Sequence, residues 1–267
     1  MNNNYRITNS HTHIYPEKIA KKASEAIGIF YEMPMNKVGT AELLIKDCQP
    51  IGVEKYLVCS VATTPKQVVS INDFIITECE KHSEFYGLAA MHQDFKDPED
   101  ELERVYVKGL KGIKLHHDFQ KADVDDERFI RIYRECAALD MVSLLHAGDD
   151  RYEYTRPHKF LRLMEKVPDF KCIAAHFGGY KCWEEAYKVL SGIDNLYFDT
   201  SSSLWSLDKD VAVDMIRHFG ADKFLFGTDF PMWDAATELE RFMALLLTEE
   251  EREMILYKNF YRLFEAR

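Results

Sequence analysis

The chain has 267 residues, of which 46% are hydrophobic, and its net charge of −11 results from 34 basic and 45 acidic side chains. The hydrophobic content excludes general disorder, and the length suits one large α/β domain of about 250 residues. The acidic balance argues against nucleic acid as a partner and against binding to an anionic lipid surface.

The sequence also favours a protein that stays in the cytoplasm. No apolar run approaches the length of about 20 residues that spans a membrane, and the N-terminal segment lacks an apolar signal-peptide core. The six cysteines, at positions 48, 59, 79, 136, 172 and 182, form no C-x-x-C pair. We therefore expect reduced thiols that pack in the interior and a cytoplasmic location.

Eight short apolar runs, many rich in β-branched residues, alternate along the chain with segments of helical spacing. The predicted strands are Tyr5–Asn9, Lys55–Val61, Phe85–Ala90, Leu110–Leu115, Met141–Leu145, Lys171–Ala175, Asn195–Phe198 and Lys223–Phe226. The predicted helices are Pro65–His82, Pro98–Val107, Asp126–Leu139, Pro157–Val167, Trp183–Leu190, Asp208–Phe219, Ala236–Leu246 and Glu249–Phe264. The stretch Ile27–Gly39 resembles an irregular insertion, which we interpret as a candidate lid.

A strand that alternates with a helix eight times is typical of a parallel sheet covered by helices. We therefore predict an α/β protein, a single (β/α)₈ TIM barrel over residues 1–267. An open doubly wound sheet is the main alternative, but it normally has a glycine-rich phosphate loop after its first strand. Here the first strand leads into His11-Thr12-His13, and the chain contains no G-x-G-x-x-G.

Polar residues that can bind metals recur where the predicted strands end. They are His11 and His13 after strand 1, Lys114 and His116 on strand 4, His146 after strand 5, His176 after strand 6, Asp199 after strand 7 and Asp229 after strand 8. In a barrel these ends converge on one face, where the active site is built. Imidazoles and a carboxylate suit Zn²⁺ and similar ions, and such an ion lowers the pKa of a bound water toward about 7.

The motifs around these residues resemble those of the amidohydrolase superfamily. They are the H-T-H of strand 1, LLHAG around His146, AAHFGG around His176 and FGTDFP around Asp229. The resemblance covers nearly the whole chain and is closer to the amidohydrolase-related barrels. That branch includes aminocarboxymuconate-semialdehyde decarboxylase, γ-resorcylate decarboxylase and several lactone hydrolases. The order of four motifs is specific, whereas any one of them alone is not.

The resemblance implies a ligand set and two further roles. By motif, the metal ligands fall on His11, His13, His146 and Asp229. The resemblance also implies that Asp229 shuttles a proton and that His176 contacts the substrate or assists proton transfer. We favour one divalent ion, Zn²⁺ first, with Mn²⁺ and Fe²⁺ as alternatives. Many relatives have an acidic residue at the position of Asn9, so the orientation of His11 is open.

Lys114 leaves the number of metal ions open. In members with two metals, a carboxylated lysine of strand 4 bridges the ions, and the histidines of strands 5 and 6 bind the second one. Lys114, His146 and His176 supply that set. In the mononuclear branch the same lysine is a cation in the pocket, and the flanking motifs favour that branch. A second ion therefore stays as the alternative.

The substrate is harder to infer from the sequence. Arg151 is a candidate clamp for a substrate carboxylate, and Trp205 and His116 are candidate substrate contacts. The alternative for Arg151 is an ion pair with Asp149 or Asp150. Because the protein is acidic, an anionic substrate needs a local cationic region to bind.

Three functions follow from these residues. The first is a metal-dependent hydrolase, in which a metal-activated water attacks the carbonyl of an amide, ester or lactone in a small substrate. Asp229 serves as general base, and Lys114 or His176 stabilises the developing charge. The second is a non-oxidative decarboxylase of an aromatic or unsaturated acid, and the third is a non-catalytic metal-binding barrel. A homodimer is expected only from the resemblance.

Overall fold

The computed structural model of the protein describes residues 5–265. Its eight strands are all parallel, and they neighbour one another in chain order. They are β1 (Ile7–His13), β2 (Val53–Cys59), β3 (Phe85–Ala90), β4 (Gly112–Leu115), β5 (Val142–Leu145), β6 (Lys171–Ala174), β7 (Leu196–Asp199) and β8 (Phe224–Leu225).

Helices connect the strands and cover the outside of the sheet. They are α1 (Glu17–Tyr31), α2 (Ala41–Cys48), α3 (Val68–Lys81), α4 (Pro98–Val107), α5 (His117–Gln120), α6 (Glu127–Ala138), α7 (Pro157–Lys166), α8 (Trp183–Val189), α9 (Lys209–Phe219), α10 (Ala235–Met243), α11 (Glu249–Glu253) and α12 (Asn259–Phe264). A π-helical turn over Met254–Lys258 joins the last two, where one continuous helix was predicted. Within residues 5–265 no helix is both long and apolar enough to cross a bilayer.

Backbone hydrogen bonds between the first strand and the segment that begins at β8 close the sheet. The Ser10 amide donates to the Phe226 carbonyl at 2.8 Å, and the His13 amide donates to the Phe230 carbonyl at 2.7 Å. In return, the Asp229 amide donates to the His11 carbonyl at 2.9 Å. The predicted single (β/α)₈ barrel is confirmed.

Two layers of apolar side chains hold the barrel together. The larger layer lies between the strands and the surrounding helices. The smaller one fills the inside of the barrel with residues such as Leu57, Leu144 and Ile173. Phe260 of α12 packs onto this inner layer and against Tyr86, which lies near the start of β3. The last helix therefore covers the N-terminal ends of the strands and leaves the opposite face free for the site.

The region between β1 and β2 differs most from the prediction. Part of the predicted irregular stretch belongs to α1, which runs to Tyr31, and α2 was not predicted. The buried side of α1 consists of the small residues Ala20, Ser24 and Gly28, so no apolar stripe marks it in the sequence. A Cβ at Gly28 would lie 2.5 Å from Met35 Cγ, which shows how closely the following segment packs on the helix.

The six cysteines are all unpaired thiols, and five of them are buried. Cys48 and Cys136 belong to the outer apolar layer, and Cys59 belongs to the inner one. Their surroundings are those of small hydrophobic residues in a core.

Candidate active site

A cavity of about 800 Å³ opens at the C-terminal ends of the strands. Seven residues selected from the sequence line it together: His11, His13, Lys114, His116, His146, His176 and Asp229. Two others, Arg151 and Trp205, do not line it. The strand ends thus bring the candidate metal-binding and catalytic residues together, while two candidate substrate contacts lie elsewhere.

His11, His13 and Asp229 form the tightest cluster of candidate ligands. The Nε2 atoms of the two histidines are 3.2 Å apart. Asp229 Oδ1 lies 3.4 Å from His11 Nε2 and 3.3 Å from His13 Nε2. The alternation of a strand places His11 and His13 on the same face of β1, which is why residues two apart converge. All three donor atoms point toward one shared space.

Asp199 fixes the orientation of His11. Its Oδ2 atom lies 2.8 Å from His11 Nδ1, and its side chain is completely buried. A carboxylate at this distance accepts a hydrogen bond from Nδ1–H, so the lone pair of the ring lies on Nε2, which faces Asp229. The acidic residue that the sequence lacks at position 9 is therefore replaced by one from β7. Asn9 instead donates to Thr228 Oγ1 at 2.8 Å.

A chain of hydrogen bonds extends from Asp199 across the site. Ser201 Oγ donates to Asp199 Oδ1 at 2.6 Å and lies 3.0 Å from His176 Nδ1. The Nε2 atom of His176 is 3.1 Å from His146 Nδ1. On its other side, His146 Nε2 lies 3.3 Å from Asp118 Oδ2 without the alignment of a hydrogen bond. His146 therefore neighbours His176 and Asp118, while His11, His13 and Asp229 form a separate group.

Lys114 is buried beside the ligand cluster. Its Nζ atom lies 3.0 Å from His11 Nε2, and only 1% of the residue is exposed. Burial lowers the pKa of Lys114 below its usual value. Burial likewise lowers the pKa of His11, His116 and His146, which favours the neutral imidazole that binds metals.

Several residues of the site adopt left-handed backbone angles that side chains with a Cβ rarely occupy. The φ angle is 61° at His176, 50° at Ser202 and 56° at Asp229. Such conformations cost about 1–3 kcal/mol each and concentrate at functional sites. Ser202 Oγ donates to Asp229 Oδ2 at 2.6 Å, and Trp233 Nε1 donates to Ser202 Oγ at 2.9 Å. Because Ser202 binds the Oδ2 atom of Asp229, the Oδ1 atom faces His11 and His13.

Flat rings form one wall of the cavity. His116 stacks on Phe119 with ring centroids 3.6 Å apart and on His146 at 3.9 Å, with interplanar angles of 2° and 8°. The hydroxyl of Tyr31, at the end of α1, lies 2.7 Å from His116 Nε2. Phe30 packs edge-on against Phe119 at 4.6 Å. The end of α1 thus reaches the centre of the site, in the region predicted to form a lid.

Arg151 and Trp205 have structural partners outside the cavity. The guanidinium of Arg151 forms a two-pronged pair with the buried Asp149 at 2.7 and 2.9 Å, and it donates to the Phe30 carbonyl at 2.8 Å. These contacts match the alternative that Arg151 pairs with Asp149. Trp205 donates to the Ser202 carbonyl at 3.0 Å and stacks on Trp233.

Four residues that the sequence did not single out contribute to the site: Tyr31, Asp118, Ser201 and Ser202. Asp118 lies two positions after His116 but belongs to α5, so the alternation of a strand does not predict its position. Burial and the neighbouring carboxylate of Asp149 raise the pKa of Asp118 to about 7. At Asp229, burial favours a higher pKa, yet His11 and His13 outweigh it and lower the pKa below its usual range.

The donor set fits a divalent metal ion. Two imidazoles and a carboxylate converge on one space, and the hydrogen bond from His11 Nδ1 to Asp199 turns His11 Nε2 toward it. The buried Nε2 atom of His146 makes no hydrogen bond within residues 5–265, although Asp118 Oδ2 lies 3.3 Å from it. These observations are independent of any relative.

Solved structures share this fold over nearly the whole chain. A 2,6-dihydroxybenzoate decarboxylase in complex with 2,6-dihydroxybenzoate is 18% identical, with a TM-score of 0.75 over 98% of this chain and 99% of its own. A dihydroxybenzoic acid decarboxylase from Polaromonas sp. JS666, with manganese and the inhibitor 2-nitroresorcinol, is 18% identical, with a TM-score of 0.74 over 98% of this chain and 97% of its own. A probable 2-pyrone-4,6-dicarboxylic acid hydrolase from Acinetobacter baumannii, with citric acid, is 14% identical, with a TM-score of 0.71 over 97% of this chain and 99% of its own.

At these identities the likeness to solved structures establishes the barrel fold. A search of curated proteins finds no match. The family model described as Amidohydrolase, by contrast, matches residues 9–266. That range begins within β1 and includes the other seven strands and every residue of the candidate site. The chain belongs to the amidohydrolase family.

Proposed function

We propose that this protein is a metal-dependent decarboxylase that releases CO₂ from an aromatic carboxylic acid. The observation that carries the proposal is the position of the His11, His13 and Asp229 cluster beside a flat wall of stacked rings. A planar substrate fits such a wall, because aromatic rings favour offset stacking. Two solved structures with the same fold are decarboxylases of dihydroxybenzoic acids, which supports this reaction over hydrolysis.

His11, His13 and Asp229 would hold the ion, and the resemblance of the motifs makes His146 the candidate for a fourth ligand. When bound, a divalent ion supplies a positive charge that polarises a substrate oxygen. Zn²⁺ and Mn²⁺ both accept these ligands. The manganese of the Polaromonas relative makes Mn²⁺ an equal candidate. We propose one ion. In this assignment the amino group of Lys114, which contacts His11 directly, does not bridge two ions, and the surrounding imidazoles already crowd the site.

The side chains of the site would manage the proton that replaces the carboxylate. In this reaction a C–H bond forms at the ring carbon that bears the carboxylate. The C–C bond to the carboxylate then breaks, its electron pair returns to the ring, and CO₂ leaves. Asp229 is the proposed proton carrier, with Ser202 holding its Oδ2 atom in place. His176, fixed by Ser201, faces the same cavity and would contact the substrate.

Hydrolysis of an ester, amide or lactone is the second candidate. The structural likeness to a probable 2-pyrone-4,6-dicarboxylic acid hydrolase favours it. The same carboxylate, Asp229, would then take a proton from water instead of delivering one to carbon. The sequence alone favoured this reaction, whereas the two decarboxylases among the solved relatives favour the other.

The fate of isotopic labels distinguishes the two reactions. The purified protein, loaded with Mn²⁺ or Zn²⁺, is incubated with 2,6-dihydroxybenzoate and other hydroxybenzoates in D₂O, and with lactones and amides in H₂¹⁸O. We expect CO₂ and one deuterium on the ring carbon, with no turnover in Asp229→Asn. Oxygen-18 in a new carboxylate, with no CO₂ from any acid, would refute the proposal. The cytoplasmic location and the homodimer stay predictions from the sequence.

A further inference from the structure

The outer part of the cavity carries positive charge in an otherwise acidic protein. Three exposed lysines line it: Lys18 and Lys22 of α1, and Lys121 after α5. None of the three side chains forms an ion pair within residues 5–265. Within residues 5–265 the only carboxylates that line the cavity are Asp118 and Asp229, and both lie beside the buried histidines. The lysines therefore face the cavity with their charges uncompensated.

Helix α1 arranges these charges along the length of the cavity. One side of the helix lines it, with Lys18, Lys22, Ala26 and Phe30 spaced four residues apart. Residues at this spacing lie on the same face of a helix. Lys18 precedes Tyr31 by thirteen residues, which corresponds to about 20 Å of helix at 1.5 Å per residue. Tyr31 contacts the buried His116, whereas Lys18 and Lys22 are exposed, so these two lysines lie toward the mouth of the cavity.

Apart from the lysines and the candidate ligands, the lining of the cavity is largely apolar. Its lining side chains include Ile19, Ile27, Ile71, Phe74 and Phe119. Its volume of about 800 Å³ lies in the upper part of the range of about 300–1,000 Å³ that holds drug-sized ligands. A single-ring acid would leave most of this apolar surface and all three lysines without contacts.

We propose that the substrate has two ends: an aromatic acid at the metal cluster, and a second anionic group at the far end of an apolar body, bound by Lys18, Lys22 and Lys121. The assignment of the deep end rests on the proposed decarboxylase function. The outer end rests on the lysines alone. A net charge of −11 repels anions in general, so a doubly anionic ligand needs such a local cluster of cations.

The chain provides a matched control on the same helix. Lys21 lies between the two cavity lysines in sequence, but it does not line the cavity, and its Nζ atom is 4.0 Å from Glu25 Oε1. Lys21→Gln removes the same charge from the same exposed helix. It therefore tests whether position in the cavity, and not the net charge of α1, determines binding.

Binding can be measured apart from turnover with nitroresorcinols, which have no carboxylate to lose. We would prepare 2-nitroresorcinols with alkyl tails that end in a carboxylate, a phosphate or a methyl group, and titrate them calorimetrically into the metal-loaded protein. Three partly exposed ion pairs should make the anionic tails bind about tenfold more tightly than the methyl tail. This preference should weaken as salt is added, since the pairs are accessible to solvent.

The variants decide the outcome. In Lys18→Gln/Lys22→Gln the preference for an anionic tail should fall to about twofold or less, while Lys21→Gln retains it. The tail that binds more tightly, carboxylate or phosphate, identifies which anion the lysines bind. Equal affinity of the anionic and methyl tails, or a preference that survives in the double variant, would overturn the inference. Tail preference without CO₂ release from any matched acid would count against the decarboxylase function alone.

Discussion

Asp199→Asn tests how the structure prepares His11 to bind a metal. The carboxylate of Asp199 accepts a hydrogen bond from His11 Nδ1 at 2.8 Å, so the lone pair of the ring lies on Nε2. An asparagine can present its NH₂ group there, which favours a proton on Nε2, the atom that faces Asp229. Loss of such an orienting partner typically weakens metal binding by about 10- to 100-fold. That range corresponds to about 1.4–2.7 kcal/mol of binding free energy.

Asp199→Asn also lowers the stability of the folded protein, and this effect must be measured separately from the change in metal affinity. Asp199 accepts hydrogen bonds from the His176 amide, the Ser201 amide and the Ser201 hydroxyl at 3.0, 3.0 and 2.6 Å. The oxygen of an asparagine can retain the contacts to the amides, but the charge that strengthens them is lost. Hydrogen bonds to charged groups contribute about 1.5–3 kcal/mol, so the metal-free variant should melt about 3–12 °C lower.

The assay is the affinity for Mn²⁺ and Zn²⁺ by competition with a chelator, together with elemental analysis and thermal unfolding without metal. Asp149→Asn is the matched control, because Asp149 is also completely buried, but its partner is Arg151. The control should lose stability and keep its metal affinity within about threefold. Asp199→Asn that binds metal as tightly as the wild type would refute the orienting role.

Three further predictions concern single groups. Asp229→Asn should keep the fold and lose activity by several powers of ten, since an amide carries no exchangeable acid proton; more than about a tenth of wild-type kcat would remove it as the proton carrier. Tyr31→Phe deletes the hydroxyl beside His116 and should lower kcat/KM about fivefold, and an unchanged kcat/KM would contradict that contact. Burial raises the pKa of Glu238 to about 7, so its stabilising contribution is complete below about pH 4.5 and is lost as the pH rises through 7. The Tm of Glu238→Gln should therefore vary less between pH 5 and 8 than that of the wild type, and parallel curves would contradict this.

The residues that the sequence identified lie together because a parallel barrel leaves little freedom at its strand ends. His11 and His13 share a strand face, and Lys114, His146 and His176 follow strands whose C-terminal ends meet on one side. Apolar runs locate such strands well, since β3 was predicted with the bounds that it has in the structure. The convergence of these side chains needs only the order of strands and no knowledge of loops.

The features that the sequence did not predict depend on contacts between distant parts of the chain. Asp199 orients His11 across 188 positions, a pairing that no local pattern records. Helix α1 buries Ala20, Ser24 and Gly28, so its packed side carries no apolar periodicity. Whether Arg151 binds a ligand or a neighbour depends on where its loop places Asp149, and the barrel places that carboxylate beside the guanidinium.

Arg151 nevertheless affects the cavity through α1. Its guanidinium joins the buried Asp149 to the Phe30 carbonyl, and it lies 5.0 Å from the Phe30 ring centroid. The last turn of α1 is therefore held to the loop after β5, with Tyr31 inserted toward His116. Lys18 and Lys22 lie on the same helix, so this attachment also restrains their position relative to His11, His13 and Asp229. In the structure, a residue interpreted from sequence as a clamp on the substrate holds in place the helix that lines the cavity.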